Sequence, residues 1–160
     1  MYRTSPQFKS LIGVLIFAIA GAASAADYSA PTVKANKPSG IDAARHAIET
    51  SDYPRAIEIL TAEAAKAPRD ADVQNLLGYS NRKLKRYGLA LSHYQKALEL
   101  QPNHRGANNY VGHLYLETGR LDRAQERLAV LDKECTFGCK EYSDLRQAIA
   151  AHQQEQVAGY

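Results

Sequence analysis

The stretch LGYSNRKLKRYGLALSHYQKALELQP, residues 77–102, decides the fold. It reads as two amphipathic helices with a basic break between them. The first carries Leu77 and Gly78; the second carries Ala90, Tyr94 and Ala97. Pro102 ends the second, because proline cannot continue the helical hydrogen-bond ladder. Glycine and alanine at these places let two helices cross more closely than larger side chains would permit.

Working outward, the pattern recurs at a shift of 34. Ala56, Ala90 and Ala124 fall in register, as do Pro68 with Pro102, Gly78 with Gly112, and Asn75 with Asn109. Bulky positions follow: Tyr53, Tyr87 and Leu121; Leu60, Tyr94 and Leu128; Ala43, Leu77 and Val111. A 34-residue period with two helices per unit is the mark of a helical solenoid, in which each pair hides its apolar face against its neighbours. The units run 37–70, 71–104 and 105–138. The first departs most, with Ala44 in place of the glycine and Gly40 at the bulky fourth position; the third has Thr136 where the others have proline. Beyond them Tyr142, Leu145 and Ile149 keep the register of one more helix, expected over 139–153, whose other face carries Lys140, Asp144, Arg146, Gln147 and Gln153. One apolar and one polar face suit a cap on the last repeat. Residues 154–160 lack periodicity and are expected to fray.

Residues 77–102 and their repeats resemble the tetratricopeptide repeat. The resemblance implies an all-α, right-handed α-solenoid of three helix pairs and a C-terminal capping helix. It also implies a protein or peptide partner in a concave groove lined by the first helix of each pair, with positions 2, 5, 9, 12 and 13 of each unit facing it. Those positions supply Arg45 from the first unit, Asn75, Tyr79, Arg82 and Lys83 from the second, and Asn109, His113 and Glu117 from the third. Paired asparagines can hold an extended peptide by its backbone amides, and Arg82 with Lys83 can hold an acidic group or a terminal carboxylate. The further cations that carboxylate-binding members carry on their other repeats are incomplete here. The run Arg82, Lys83, Lys85 and Arg86 also suits a helix C-terminus, where cations complement the macrodipole.

Residues 1–25 read as an export signal. Arg3 and Lys9 precede an apolar run from Leu11 to Ala20, and Ala-Ala-Ser-Ala leads to a cut after Ala25. That run is shorter than the roughly 20 apolar residues of a membrane span, so no span is expected after cleavage. Residues 26–38 form a linker. Of the 20 lysines and arginines, Arg3 and Lys9 leave with the signal, so 18 remain against 17 aspartates and glutamates. A chain this close to neutral has no broad basic footprint for nucleic acid. The expected location is outside the cytoplasm, in the periplasm if the source is a Gram-negative bacterium. Oligomeric state is not legible.

The only two cysteines, Cys135 and Cys139, should close the last repeat and open the cap. In an oxidising compartment a pair at this distance tends to form a disulfide, which for so small a loop contributes about 2 kcal/mol. The other reading is a thiol-redox or copper-handling site, since Cys139 at a helix N-terminus beside Lys140 suits a reactive thiol. Against it, the chain has no methionine beyond Met1, and the nearest histidine in sequence, His152, is three turns along the cap. The segment C-x-F-G-C-x-E-Y also resembles the end of some small exported bacterial tetratricopeptide proteins. His46, His93, His104, His113 and His152 show no i, i+4 zinc pair, and no nucleophile elbow or phosphate-binding loop is present. No catalytic residue, metal site or cofactor is therefore expected, and the chain reads as a binding module rather than an enzyme.

Overall fold

The computed structural model describes residues 39–158, and every regular element among them is an α-helix. The expected signal and linker lie outside the described residues. The helices are α1 (Gly40–Glu49), α2 (Tyr53–Lys66), α3 (Ala71–Lys83), α4 (Tyr87–Leu100), α5 (Arg105–Glu117), α6 (Leu121–Glu134) and α7 (Lys140–Ala158). They make three pairs and a closing helix. α3 and α5 begin in the 34-residue register, whereas α1 starts three residues later. There Ser39 and Asp42 form a reciprocal capping box that satisfies the first free N–H groups.

The repeat extends to the backbone of the turns. Ser51, Lys85 and Gly119, each 34 apart, adopt left-handed φ values of 61°, 58° and 71°. Just after them the N–H groups of Asp52, Arg86 and Arg120 donate back to the carbonyls of Ala47, Asn81 and Tyr115 at 2.8, 2.9 and 2.7 Å. This closure reverses the chain inside each pair and occupies helix-end carbonyls that would otherwise be orphaned.

Each helix packs on the next, and α5 also packs on α3 and α7. The core is correspondingly a series of local clusters. One joins Ala44, Leu60, Val73 and Leu77; a second joins Ala90, Tyr94, Val111 and Leu114; a third joins Ala124, Leu131, Leu145 and Ile149. Ala56, Ala90 and Ala124 are fully buried, as their register requires. A Cβ on Gly78 would stand 2.6 Å from the Tyr94 ring of its own pair. Gly112 differs: its Cβ would meet Leu145 of α7 at 2.6 Å, so the closing helix, not the partner helix α6, occupies that notch.

Cys135 follows α6 and Cys139 precedes α7, and their sulfurs are bonded, with Cα atoms 5.5 Å apart. Leu145 and Ile149 face inward, while Arg146, Gln147 and Gln153 are exposed. The expected fraying from residue 154 is not what the structure has: α7 stays helical through Ala158. Gln154 to Ala158 are mostly good helix formers with no glycine or proline among them. No helix among the described residues is long and apolar enough to cross a membrane.

Candidate functional site

The first helices of the three pairs, α1, α3 and α5, carry all the groove residues named from the sequence. Asn75 and Asn109 hold the fifth position of α3 and α5. Both are buried, 5% and 3% exposed, and the Oδ1 atom of each lacks a hydrogen-bond partner among the described residues. The first turn of α5 comes very close to Asn75, since a Cβ on Gly106 would lie 3.0 Å from its Nδ2. A buried acceptor left unpaired costs about 1–3 kcal/mol, so these two carbonyls favour any donor that reaches them.

The sequence pairs Arg82 with Lys83 as two cations for one carboxylate. The structure separates their roles. Arg82 is only 9% exposed, and its Nη1 donates to the Glu117 carboxylate across the α3–α5 interface. Burial works against its charge, but the neighbouring Tyr94 hydroxyl and Glu117 carboxylate outweigh that and raise its pKa above the ordinary value. Arg82 Nε and Tyr94 Oη are both buried without a hydrogen-bond partner among the described residues. Burial also pushes the Tyr94 hydroxyl pKa up, so it stays protonated. Lys83 is exposed and makes no ion pair among the described residues, as does Arg45. Glu117 is thus a partner of Arg82 before it is a contact for anything else.

Tyr79 is the centre of an aromatic row that crosses all three pairs. Its ring lies 6.4 Å from Tyr53 at 61° and 4.8 Å from Tyr110 at 54°. The Arg82 and Lys83 cations each stand 5.6 Å from the same ring centroid, within cation–π range. Burial and then the Arg82 charge hold His113 below its usual pKa, leaving it a neutral polar group at pH 7. Tyr110 is the groove residue that sequence reasoning missed, and Tyr53, at the start of α2, backs Tyr79 from the side. Tyr110 shares its register position with Leu76, which marks both as apolar but does not reveal that they flank Tyr79.

Away from the groove, His93 Nδ1 lies 2.9 Å from Gln74 Oε1, and His104 caps α5 by accepting from the Ala107 N–H. No group of three or more His, Cys, Asp or Glu side chains converges among the described residues.

With this geometry in hand, comparison with known proteins assigns the class. Models of the tetratricopeptide repeat match residues 41–105 and 82–149, together spanning 41–149. The chain belongs to the tetratricopeptide repeat family. No curated protein matches it in sequence. Among solved structures it is similar to the type III secretion translocator chaperone SycD of Yersinia enterocolitica, at a TM-score of 0.65 and 16% identity over 73% of this chain and 83% of that one. It is similar to the TPR2B domain of yeast Sti1 in a complex with pHsp70, at 0.63 and 23% over 70% and 91%. It is likewise similar to the first TPR of Spaghetti (RPAP3) bound to the HSP90 peptide SRMEEVD, at 0.63 and 16% over 72% and 90%. At these identities the likeness concerns the fold.

Proposed function

We propose that this chain is an interaction module exported to the cell envelope, where the groove of α1, α3 and α5 holds a segment of a protein partner. The observation that carries the reading is the pair of buried, unpartnered carbonyl oxygens of Asn75 and Asn109 at equivalent positions of adjacent repeats. Backbone N–H groups of an extended segment are the donors that would complete them once the side-chain amides turn toward the groove, since both oxygens are enclosed as the structure stands. Lys83 and Arg45 add exposed positive charge, which favours an acidic segment. That similar folds are seen holding pHsp70 and the peptide SRMEEVD supports a peptide as the ligand class. The N-terminal signal pattern supports export, and a disulfide suits an oxidising compartment.

The test is affinity capture from the native envelope fraction, comparing the wild type with Asn75→Ala/Asn109→Ala. The variant should recover markedly less of the partner while melting no lower, because it removes two orphaned acceptors. Equal recovery would move the site off the groove. Export is tested separately: the protein isolated from the envelope should begin at Ala26.

A further inference from the structure

Where α1, α3 and α5 meet, the groove deepens into a cleft of about 170 Å³ lined by Arg45, Ile48, Glu49, Leu76, Tyr79 and Tyr110. An apolar cavity of about 150 Å³ accepts a benzene-sized group. We infer that this cleft is a socket for one aromatic side chain of the bound segment, with an acidic residue beside it at the rim. The inference rests on the groove being the binding site and names what the groove selects.

Three features point to a ring. The cleft is too small for a folded surface and large enough for one big side chain. Two of its lining residues, Tyr79 and Tyr110, belong to a herringbone that Tyr53 continues behind Tyr79 at tilted and edge-to-face angles, and a further ring extends such an arrangement with an attraction beyond that of buried area. The wall is also organised before binding: Leu76 is buried, and Tyr79 is held between two rings and two cations, so little side-chain freedom remains to be lost.

The charge at the rim selects the neighbour of that ring. Arg45, Arg82 and Lys83 face Glu49 and Glu117, and Lys140, Glu141 and Asp144 of α7 lie beside Tyr110 and His113, so the charges balance and the choice of neighbour rests on which of them are already paired. Glu117 is taken by Arg82 and Asp144 by Lys140, while Glu49 keeps its charge on the Arg45 side of the cleft, which leaves Lys83 as the cation farther from it. Lys83 and Arg45 have no ion pair among the described residues. An acidic side chain next to the inserted ring can approach either cation, whereas a basic one would meet them with like charge.

The experiment titrates the full protein, labelled with nitrogen-15, with three capped peptides: acetyl-Gly-Asp-Phe-Asp-Gly-amide, the same peptide with Ala for Phe, and the same with Lys for both Asp. The Phe–Asp peptide should bind at least tenfold more tightly than either of the others, with shifts centred on Ile48, Leu76, Tyr79 and Tyr110. Ile48→Trp, which fills the socket from a half-buried position, should abolish the preference for Phe over Ala. Should that variant not fold, Tyr79→Leu serves the same purpose by removing the central ring. Equal binding of the Phe and Ala peptides, both weakened by Asn75→Ala/Asn109→Ala, would overturn the socket and leave the groove reading standing. Binding of none of them at millimolar concentration would overturn both.

Discussion

The turn leading from one helix pair to the next occurs three times in register, at 67–70, 101–104 and 135–138, and only the third is covalently closed. All three share a backbone closure, with the N–H groups of Asp70, His104 and Gly138 donating to the carbonyls of Ala67, Gln101 and Cys135 at 3.2, 3.0 and 2.7 Å. In the first two, the last residue also caps the next helix: the Asp70 carboxylate accepts from the Val73 N–H and His104 Nδ1 from the Ala107 N–H, each at 3.1 Å. Gly138, at φ +83°, has no side chain to do this. The cap moves along by one residue, and the Cys139 sulfur faces the Tyr142 N–H at 3.4 Å. α3 and α5 pack against helices on both sides, whereas among the described residues α7 packs mainly on α5 and α6. A helix with neighbours on one side has less packing to fix it, and the disulfide stands where that packing is missing.

The largest expected effect comes from breaking the third turn. Changing Cys135 and Cys139 together to Ser should cost about 2 kcal/mol, the chain-entropy value for so short a loop. Hydrogen exchange should show the loss concentrated in α7 and at Leu145 and Ile149, with α1 to α4 little changed, because solenoid stability is local. Uniform loss of protection would mean that the disulfide supports the whole array.

Next come the turns inside the pairs. Gly119→Ala places a Cβ at φ +71° and should cost about 1–2 kcal/mol. Lys85→Gly, at the equivalent position, should gain up to about 1 kcal/mol by relieving the same strain. Chemical denaturation of the two variants measures both signs.

A smaller cost, about 1 kcal/mol, is expected for Asp70→Ala, which removes the cap of α3 and leaves the Val73 N–H without its partner. In the same assay it should fall below the cost of opening the disulfide. If it matched or exceeded that cost, the polar turns would be holding the array as firmly as the covalent one.

The smallest effect is a drift with pH that leaves the third turn untouched, since bonded cysteines do not titrate. Burial lowers the pKa of both His93 and His113 in the folded chain. The unfolded chain therefore takes up protons first on acidification. The contribution of these neutral imidazoles is fully present above about pH 6.5, the ordinary histidine value, and is lost as pH falls toward the folded values. Thermal melts between pH 7.5 and 5 should decline, and His93→Gln with His113→Gln should flatten the slope.

Much of this was legible without a structure, because a period of 34 with small residues at fixed places leaves few arrangements that bury the apolar faces. Gly78, Ala90 and Pro102 carry the reading, and the helices fall where they indicate. Less legible were the left-handed turn residues. Gly119 alone suggests one, whereas Ser51 and Lys85 adopt the same conformation because the closing hydrogen bonds impose it. The helical extension to Ala158 is not legible from apolar periodicity, which residues 154–158 lack, although the residues themselves favour a helix.

By itself the sequence determined the number of units and the class of fold, since both follow from local pattern and spacing, and it offered groove positions only through the resemblance to the repeat family. Only the tertiary structure decided what those positions do. Arg82 and Glu117 stand 35 residues apart on different helices and meet because α3 packs on α5, which turns two candidate ligands of a partner into an ion pair. Tyr79 and Tyr110 come from two units and line one cleft for the same reason. The notch at Gly112 goes to Leu145 of the closing helix, whereas at Gly78 the larger Tyr94 fills its own pair. Which side chain reaches such a space depends on its length and on the packing of the helices around it, and neither contact lies within the helix that carries the glycine.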